Sequence, residues 1–192
     1  MNSVLALLGA AAIGALSGCA TSLPVTQEDR RLLPTVGELI PRAPQKSTQT
    51  EEFRKQRWFD GVRELAYTYR GRHDGLPILV YSAVHHYPSA DDAIVGRSES
   101  DNDHRRLFIT LEQREADTFI PAGDEARTHL LFAGMQPVGL RFSTRNGSET
   151  FSVLCLAPPQ LFDAHRAADI LQARVHQLEQ GNAARHNSLT TP

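Results

Sequence analysis

The dipeptide Asn146-Gly147 is the feature that most constrains the fold of this chain. It lies between two runs of alternating apolar and polar residues, and this combination is the strongest short-range indication of a β-hairpin. A two-residue turn at this site would pair Arg145 with Ser148. Further from the turn, three apolar pairs would share one face: Phe142 with Phe151, Leu140 with Val153 and Val138 with Cys155. The sequence therefore predicts an antiparallel hairpin that directs Cys155 into the core.

Two segments have the apolar spacing of helices. From Glu51 to Arg70, apolar residues recur every three or four positions, and Thr50 can cap the first turn. A second stripe with this spacing consists of Leu161, Ala164, Ala168, Leu171, Val175 and Leu178. The sequence predicts one helix from Glu51 to Arg70. It predicts another that opens at Pro158-Pro159 and ends near Gly181.

Shorter apolar runs predict the remaining strands, from Leu76 to Val84, from Leu107 to Leu111 and from Thr128 to Ala133. Residues 87–105 have no periodicity, which predicts a long exposed loop. Together these elements predict an α+β fold. Its antiparallel sheet of about five strands would pack with an N-terminal and a C-terminal helix.

The start of the chain has the pattern of a targeting signal. Residues 1–25 carry no charged side chain, and an apolar stretch leads into Leu16-Ser17-Gly18-Cys19. The clean apolar part is about 12 to 15 residues long, shorter than the roughly 20 that cross a bilayer, so a cleaved signal fits better than a membrane-spanning helix. The four residues resemble the lipobox of bacterial lipoprotein precursors.

That resemblance implies a signal peptide at residues 1–18, cleavage before Cys19 and acylation of Cys19. In lipoproteins the residue after the cysteine influences sorting, and Ala20 at this position implies the outer membrane. The resemblance thus predicts a bacterial envelope protein held to the outer membrane by lipidated Cys19 and facing the periplasm.

The residues after the anchor predict a flexible tether. Four prolines interrupt residues 19–50, and residues 45–50 are wholly polar. Within this segment lies a less polar patch of Leu32, Leu33, Val36, Leu39 and Ile40. It could fold back onto its own domain, or it could dock onto a partner. Residues 51–181 would form a single domain, and residues 182–192 a disordered tail.

Composition narrows the possible partners and bonds. The formal net charge is −2 with no run of basic residues, which argues against nucleic-acid binding. The chain has two cysteines, so acylation of Cys19 would leave Cys155 without an intramolecular disulfide partner. An envelope protein partner is the expectation that remains.

Candidate chemistry is sparse. Neither HExxH, CxxC, GxSxG nor a phosphate-binding glycine loop occurs, so no cofactor is predicted. The sequence favours a non-enzymatic protein-binding or assembly module, such as an accessory of a secretion or conjugation apparatus. The alternative is a lipid-anchored periplasmic enzyme or a ligand- or metal-binding protein that uses a loop containing His85, His86 and His104. No metal site is predicted for the favoured module. The alternative would bind a metal through His86, Asp103 and His104, since neighbouring strand residues such as His85 and His86 point to opposite faces.

Overall fold

The computed structural model describes residues 20–43, 49–116, 120 and 124–189. Within these residues, eight antiparallel strands form a single sheet in the order β1-β2-β3-β4-β8-β7-β6-β5. The strands are β1 (Ala20–Ser22), β2 (Thr50–Trp58), β3 (Arg63–His73), β4 (Leu76–His86), β5 (Glu112–Glu115), β6 (Asp124–Ala133), β7 (Gln136–Asn146) and β8 (Glu149–Leu156). The helices are α1 (Gln27–Leu32), α2 (Val36–Leu39), α3 (Ala90–Leu107) and α4 (Ala164–Leu189).

The sheet is buried on both sides. One face, here called the α4 face, packs Leu65, Tyr67 and Tyr69 of β3 against α1, α2 and α4. The other, the α3 face, carries Ala66 and Tyr81, and α3 packs on it over β7 and β8. Because strand side chains alternate between faces, each central strand contributes to two apolar clusters.

The predicted five-stranded sheet with a helix from Glu51 to Arg70 is wrong. That segment forms a hairpin of β2 and β3, joined by a turn in which Gly61 has φ +91°. The 3–4 spacing resembles that of a helix because β3 is buried on both faces, so its apolar residues do not simply alternate with polar ones. The expectation of an N-terminal helix packed on the sheet is therefore replaced by two further strands.

Residues 87–105 and Leu107 to Leu111 also differ from prediction. The first segment contributes most of α3 instead of a loop, with Ser89 capping its start by accepting a hydrogen bond from the Asp92 N–H at 3.1 Å. Leu107 ends this helix, and the residues after it turn into β5. The strands predicted from Leu76 and from Thr128 are present as β4 and as part of β6.

The hairpin at Asn146-Gly147 is present with a shifted register. Asn146 pairs with Glu149, so the turn residues are Gly147 and Ser148, and Gly147 supplies the positive φ of +59°. Phe142 consequently faces Val153 instead of Phe151. The shift moves each pairing by two residues, so every side chain of the hairpin stays on the face of the sheet that the sequence predicts. Cys155 is buried as predicted.

The last helix starts later and ends later than predicted. Residues 158–163 are turn and coil, α4 begins at Ala164, and it continues past Gly181 to Leu189. Its apolar stripe does face the sheet, where Leu171 is 0% exposed and Val175 is 4% exposed. The helix over residues 182–189 replaces most of the predicted tail.

Residues 20–43 are part of the folded domain and not a tether. Ala20 begins β1, which pairs with β2, and Leu23 N–H donates to the Lys55 carbonyl at 2.9 Å. The Ser82 hydroxyl of β4 donates to the Pro34 carbonyl at 3.0 Å. The prolines therefore separate short elements that pack on the α4 face, which a count of helix-breaking residues does not reveal.

Candidate functional site

A cleft of about 190 Å³ lies at one end of the α4 face, and we call it the Arg63 cleft. Its lining residues are Leu23, Asp29, Leu32, Lys55, Arg63, Glu64, Leu65, Val84, His86, Glu149 and Leu178. Strand pairing builds one wall, because Arg63 lies opposite His86 and His86 lies opposite Glu149. The cleft thus brings together α1, α4 and four adjacent strands, β2, β3, β4 and β8.

Charged pairs and apolar side chains are both present in the cleft. Lys55 Nζ donates to both carboxylate oxygens of Asp29 at 2.9 Å. Burial acts to raise the pKa of Asp29, but the hydrogen bonds from Lys55 and Thr26 outweigh it, so the pKa is lowered. On the strand side, His86 Nδ1 lies 2.5 Å from Glu149 Oε1. Each carboxylate therefore already faces a nitrogen donor.

Arg63 differs from these pairs. Its side chain is exposed, and it forms no ion pair with any residue in the described part of the chain. The cleft therefore presents a guanidinium without an ion-pair partner among the described residues, beside an apolar surface that includes Leu65 and Leu178. A guanidinium binds carboxylate or phosphate through two parallel hydrogen bonds, so the cleft can receive an anionic group attached to an apolar one.

The three histidines of the alternative hypothesis do not converge. His86 lines the Arg63 cleft on the α4 face, whereas the His104 ring packs edge-on against Tyr81 on the α3 face, with centroids 5.7 Å apart. Asp103 is exposed on α3, and its Oδ1 atom lies 3.8 Å from Nη1 of Arg106. Residues 20–43, 49–116, 120 and 124–189 contain no group of three or more His, Cys, Asp or Glu residues that could hold a metal ion. The metal set His86, Asp103 and His104 is therefore wrong, since the sheet separates its two imidazoles.

A polar cluster lies on the α3 face instead. Arg54 donates to both carboxylate oxygens of Glu64, at 2.9 and 3.2 Å, and His85 Nε2 lies 3.8 Å from the same carboxylate. Burial lowers the pKa of His85, although Glu64 opposes this. Burial also lowers the pKa of His104 to about 4, so this ring is neutral at pH 7. The ion pairs of this cluster connect β2, β3 and β4, and Arg54 at its outer end is 39% exposed.

Cys155 has the buried position that the sequence predicts. Its side chain is 0% exposed in the α4-face core, and burial raises the pKa of its thiol to about 12. A nucleophilic cysteine needs an exposed thiolate, so this residue cannot act as one in the folded protein.

The predicted partner-binding patch belongs to the core. Leu33, Leu39 and Ile40 are 0% exposed, and Val36 is 9% exposed. Leu32 is partly exposed and contributes to the Arg63 cleft. Of the two alternatives for this segment, the structure has the one in which it folds back onto its own domain. The lipidation residue Cys19 lies outside the described residues.

Sequence reasoning missed Arg63, Lys55, Asp29 and Glu149 because they are far apart along the chain and meet only through strand pairing. One signal could have revealed part of the site. Asp60-Gly61 is a turn-type dipeptide, and a hairpin centred there places Arg57 and Arg63 on neighbouring strands.

No family model and no curated protein matches this chain. Among solved structures, the chain is similar to the crystal structure of the extracellular domain of PknH from Mycobacterium tuberculosis. The identity is 12%, the TM-score is 0.47, and the match covers 82% of this chain and 98% of that one. Within the described residues, none of the helices combines the length and apolar character needed to cross a membrane.

Proposed function

We propose that this protein is a lipid-anchored lipoprotein of the bacterial cell envelope that binds a partner protein through the Arg63 cleft. The observation that carries the proposal is the unpaired Arg63 guanidinium beside an apolar surface. The group received would be a carboxylate next to an apolar side chain, as at the end of a polypeptide or at an acidic residue in an apolar context.

The size of the cleft supports a protein ligand over a small molecule. Sites for small molecules and cofactors usually enclose about 300 to 1,000 Å³. A volume of about 190 Å³ is below that range. It suits a single anchoring residue of a larger partner, because protein interfaces concentrate their binding energy in a few residues that fill small pockets.

The anchor is the second part of the proposal. Leu16-Ser17-Gly18-Cys19 resembles a lipobox, and acylated Cys19 would hold the domain to the membrane. The Ala20 that follows favours the outer membrane and its periplasmic side. Anchored there, the module would serve an envelope assembly, of which secretion and conjugation machines are the class we propose. No nucleic acid is expected as a partner.

Co-purification from membranes tests the binding site. A tagged full-length protein is isolated with its native anchor, the proteins that travel with it are identified, and binding is compared for Arg63→Ala and Arg70→Ala. Arg70 is also exposed on β3 but lies outside the cleft, so it is a matched control. We expect Arg63→Ala to weaken binding about tenfold, equivalent to about 1.4 kcal/mol, and Arg70→Ala to leave it unchanged. Equal binding by both variants would refute the cleft as the site.

A peptide experiment tests the chemistry of the ligand. Peptides taken from the captured partner are offered with a free or an amidated carboxyl terminus, and with their acidic residues intact or replaced by amides. Loss of binding on removal of one carboxylate, in the wild type but not in Arg63→Ala, supports the proposed contact. Binding that ignores every carboxylate contradicts it.

A further inference from the structure

The turn between β2 and β3 lies next to the anchor. We propose that Trp58 and Phe59 of this turn contact the headgroup layer of the bilayer that carries the lipid on Cys19. The proposal rests on the lipid anchor in the proposed function. It adds that one defined end of the domain lies on the membrane. A flexible tether would instead allow the domain to move away from the membrane surface.

Strand pairing determines the distance from the anchor. Cys19 precedes Ala20, the first residue of β1, and Ala20 lies directly opposite Trp58 of β2. Consecutive Cα atoms are about 3.8 Å apart, and opposed antiparallel residues are about 4.5 to 5.5 Å apart. The Cα atom of Trp58 is therefore about 4.5 to 5.5 Å from that of Ala20, the residue that follows Cys19 in the chain. Each headgroup layer is roughly 5 to 8 Å thick, so an acylated Cys19 holds Trp58 at the membrane surface.

The side chains of the turn suit this position. Phe59 is 84% exposed, and Trp58 is partly exposed. Aromatic residues concentrate at membrane interfaces, where the ring meets the acyl boundary and polar groups remain in contact with water. The adjacent Arg57 is exposed and can pair with lipid phosphate, whereas exposed Asp60 opposes that attraction. Asp60 instead accepts a hydrogen bond from the Val62 N–H at 3.0 Å, which shapes the turn.

Met135 is an exposed apolar residue that lacks this relation to the anchor. Met135 is 92% exposed, but it lies in the turn between β6 and β7. The register places this turn at the opposite end of the sheet, because Arg57, Arg63, His86, Glu149 and Asn146 form one cross-strand row at the anchor end. Met135 is therefore a matched control for Phe59, similarly exposed and at the end of the sheet away from Ala20.

The test uses Trp58 as its own probe, because it is the only tryptophan in the chain. Full-length protein is produced with its native anchor, acylation is measured by mass spectrometry, and the protein is incorporated into phosphatidylethanolamine and phosphatidylglycerol vesicles. In one set the lipids carry bromine near the carboxyl end of the acyl chain. We expect bromine to quench Trp58 emission about twofold. Phe59→Asp and Phe59→Ser should reduce that quenching, and Met135→Asp should not.

The outcomes separate the two proposals. Acylated protein whose Trp58 is not quenched overturns the membrane contact and leaves the anchored binding module intact. An emission shift to shorter wavelength without quenching also overturns the membrane contact, since protein, such as a second copy of the chain, then covers the turn instead of lipid. Phe59 variants that behave like wild type overturn it too. Absence of acylation overturns both proposals. Thermal unfolding of each variant checks that an exposed substitution has not altered the fold.

Discussion

The hydroxyl of Tyr67 accepts a hydrogen bond from the backbone N–H of Val36 at 3.1 Å. Val36 is the first residue of α2, a four-residue helix whose first N–H groups have no partner within the helix. The same hydroxyl donates to Glu51 Oε1 at 3.0 Å. One buried side chain of the central sheet therefore positions the N-terminal segment on the α4 face.

Tyr67→Phe should lower the free energy of unfolding by about 1 to 2 kcal/mol, because it leaves the buried Val36 N–H without its acceptor. The loss of stability should be confined mainly to the segment that contains α2. Hydrogen exchange should therefore accelerate at residues 36–40 more than in β7 or β8. Glu51→Ala, at an exposed position, should cost less than about 1 kcal/mol. Uniform acceleration of exchange would contradict the role assigned to this hydroxyl.

Acid should destabilise the protein through His104. Burial lowers the pKa of this imidazole to about 4 in the folded state, against about 6.5 in an unfolded chain. The unfolded state therefore binds the extra proton first. The stability associated with neutral His104 is complete above about pH 6.5, decreases as the pH falls towards about 4 and changes no further below that. Asp101 and Asp103 oppose the shift, and Arg141 and His85 reinforce it.

Urea unfolding at pH 7.5 and pH 4.5 measures this effect. Between pH 7.5 and pH 4.5, the free energy of unfolding of the wild type should fall by roughly 2 to 3 kcal/mol more than that of His104→Gln, whose amide does not titrate in this range. His85 also has a lowered pKa, so the variant should retain some acid sensitivity. Identical losses for the two proteins would show that His104 does not carry the effect.

The Cys155 thiol should be unreactive until the protein unfolds. Burial raises its pKa to about 12, which reduces the thiolate fraction at pH 8 by about 10³ relative to an ordinary cysteine. In Cys19→Ser this is the only remaining thiol. A chromogenic disulfide reagent should therefore react only in denaturant. Stoichiometric labelling of native protein within minutes would contradict the buried position.

Gly139 is required by the close approach of β7 and β8. A Cβ atom at this position would lie 2.1 Å from the Cys155 carbonyl oxygen and 3.1 Å from the Leu156 Cα atom. Backbone atoms cannot move aside as a flexible side chain can, so Gly139→Ala should destabilise the protein by about 2 to 3 kcal/mol. Thermal or urea unfolding checks this.

Gly37→Ala is the matched control for the Gly139 substitution. Gly37 lies in α2, and the only atom near a Cβ there is Thr35 Oγ1 at 3.9 Å. Alanine at this site should be neutral or stabilise by up to about 1 kcal/mol. A Gly139→Ala protein as stable as Gly37→Ala would show that the strands can separate at little cost.

The elements whose apolar residues repeat at one regular spacing could be predicted from the sequence. The stripe through Leu171 and Val175 is buried against the sheet, and the turn at Asn146-Gly147 joins β7 and β8. The predicted register of that hairpin is wrong because Gly147, and not Asn146, takes the first turn position. Pattern alone cannot distinguish these two alignments, because both leave the same residues on each face.

Helix α3 could not be predicted from apolar spacing, because it buries polar groups. Arg97 and His104 are 8% and 7% exposed, and the helix rests on polar parts of the sheet. Gly96 also serves packing, since a Cβ atom there would lie 2.3 Å from the Tyr87 hydroxyl oxygen. A glycine and buried charges within a helix both weaken the pattern that sequence reasoning detects.

The order of the strands determines how the chain can assemble. Among the strands that the structure describes, every neighbouring pair in the sheet is also consecutive along the chain except β4 and β8. Two meanders can therefore form from short-range contacts, one ending at β4 and the other running from β5 to β8. The two meanders join where β4 pairs with β8, which brings His86 opposite Glu149. Most of the second meander lies between these two residues along the chain. Closing that long loop is the entropically demanding step, so we expect it to limit the folding rate and to form last.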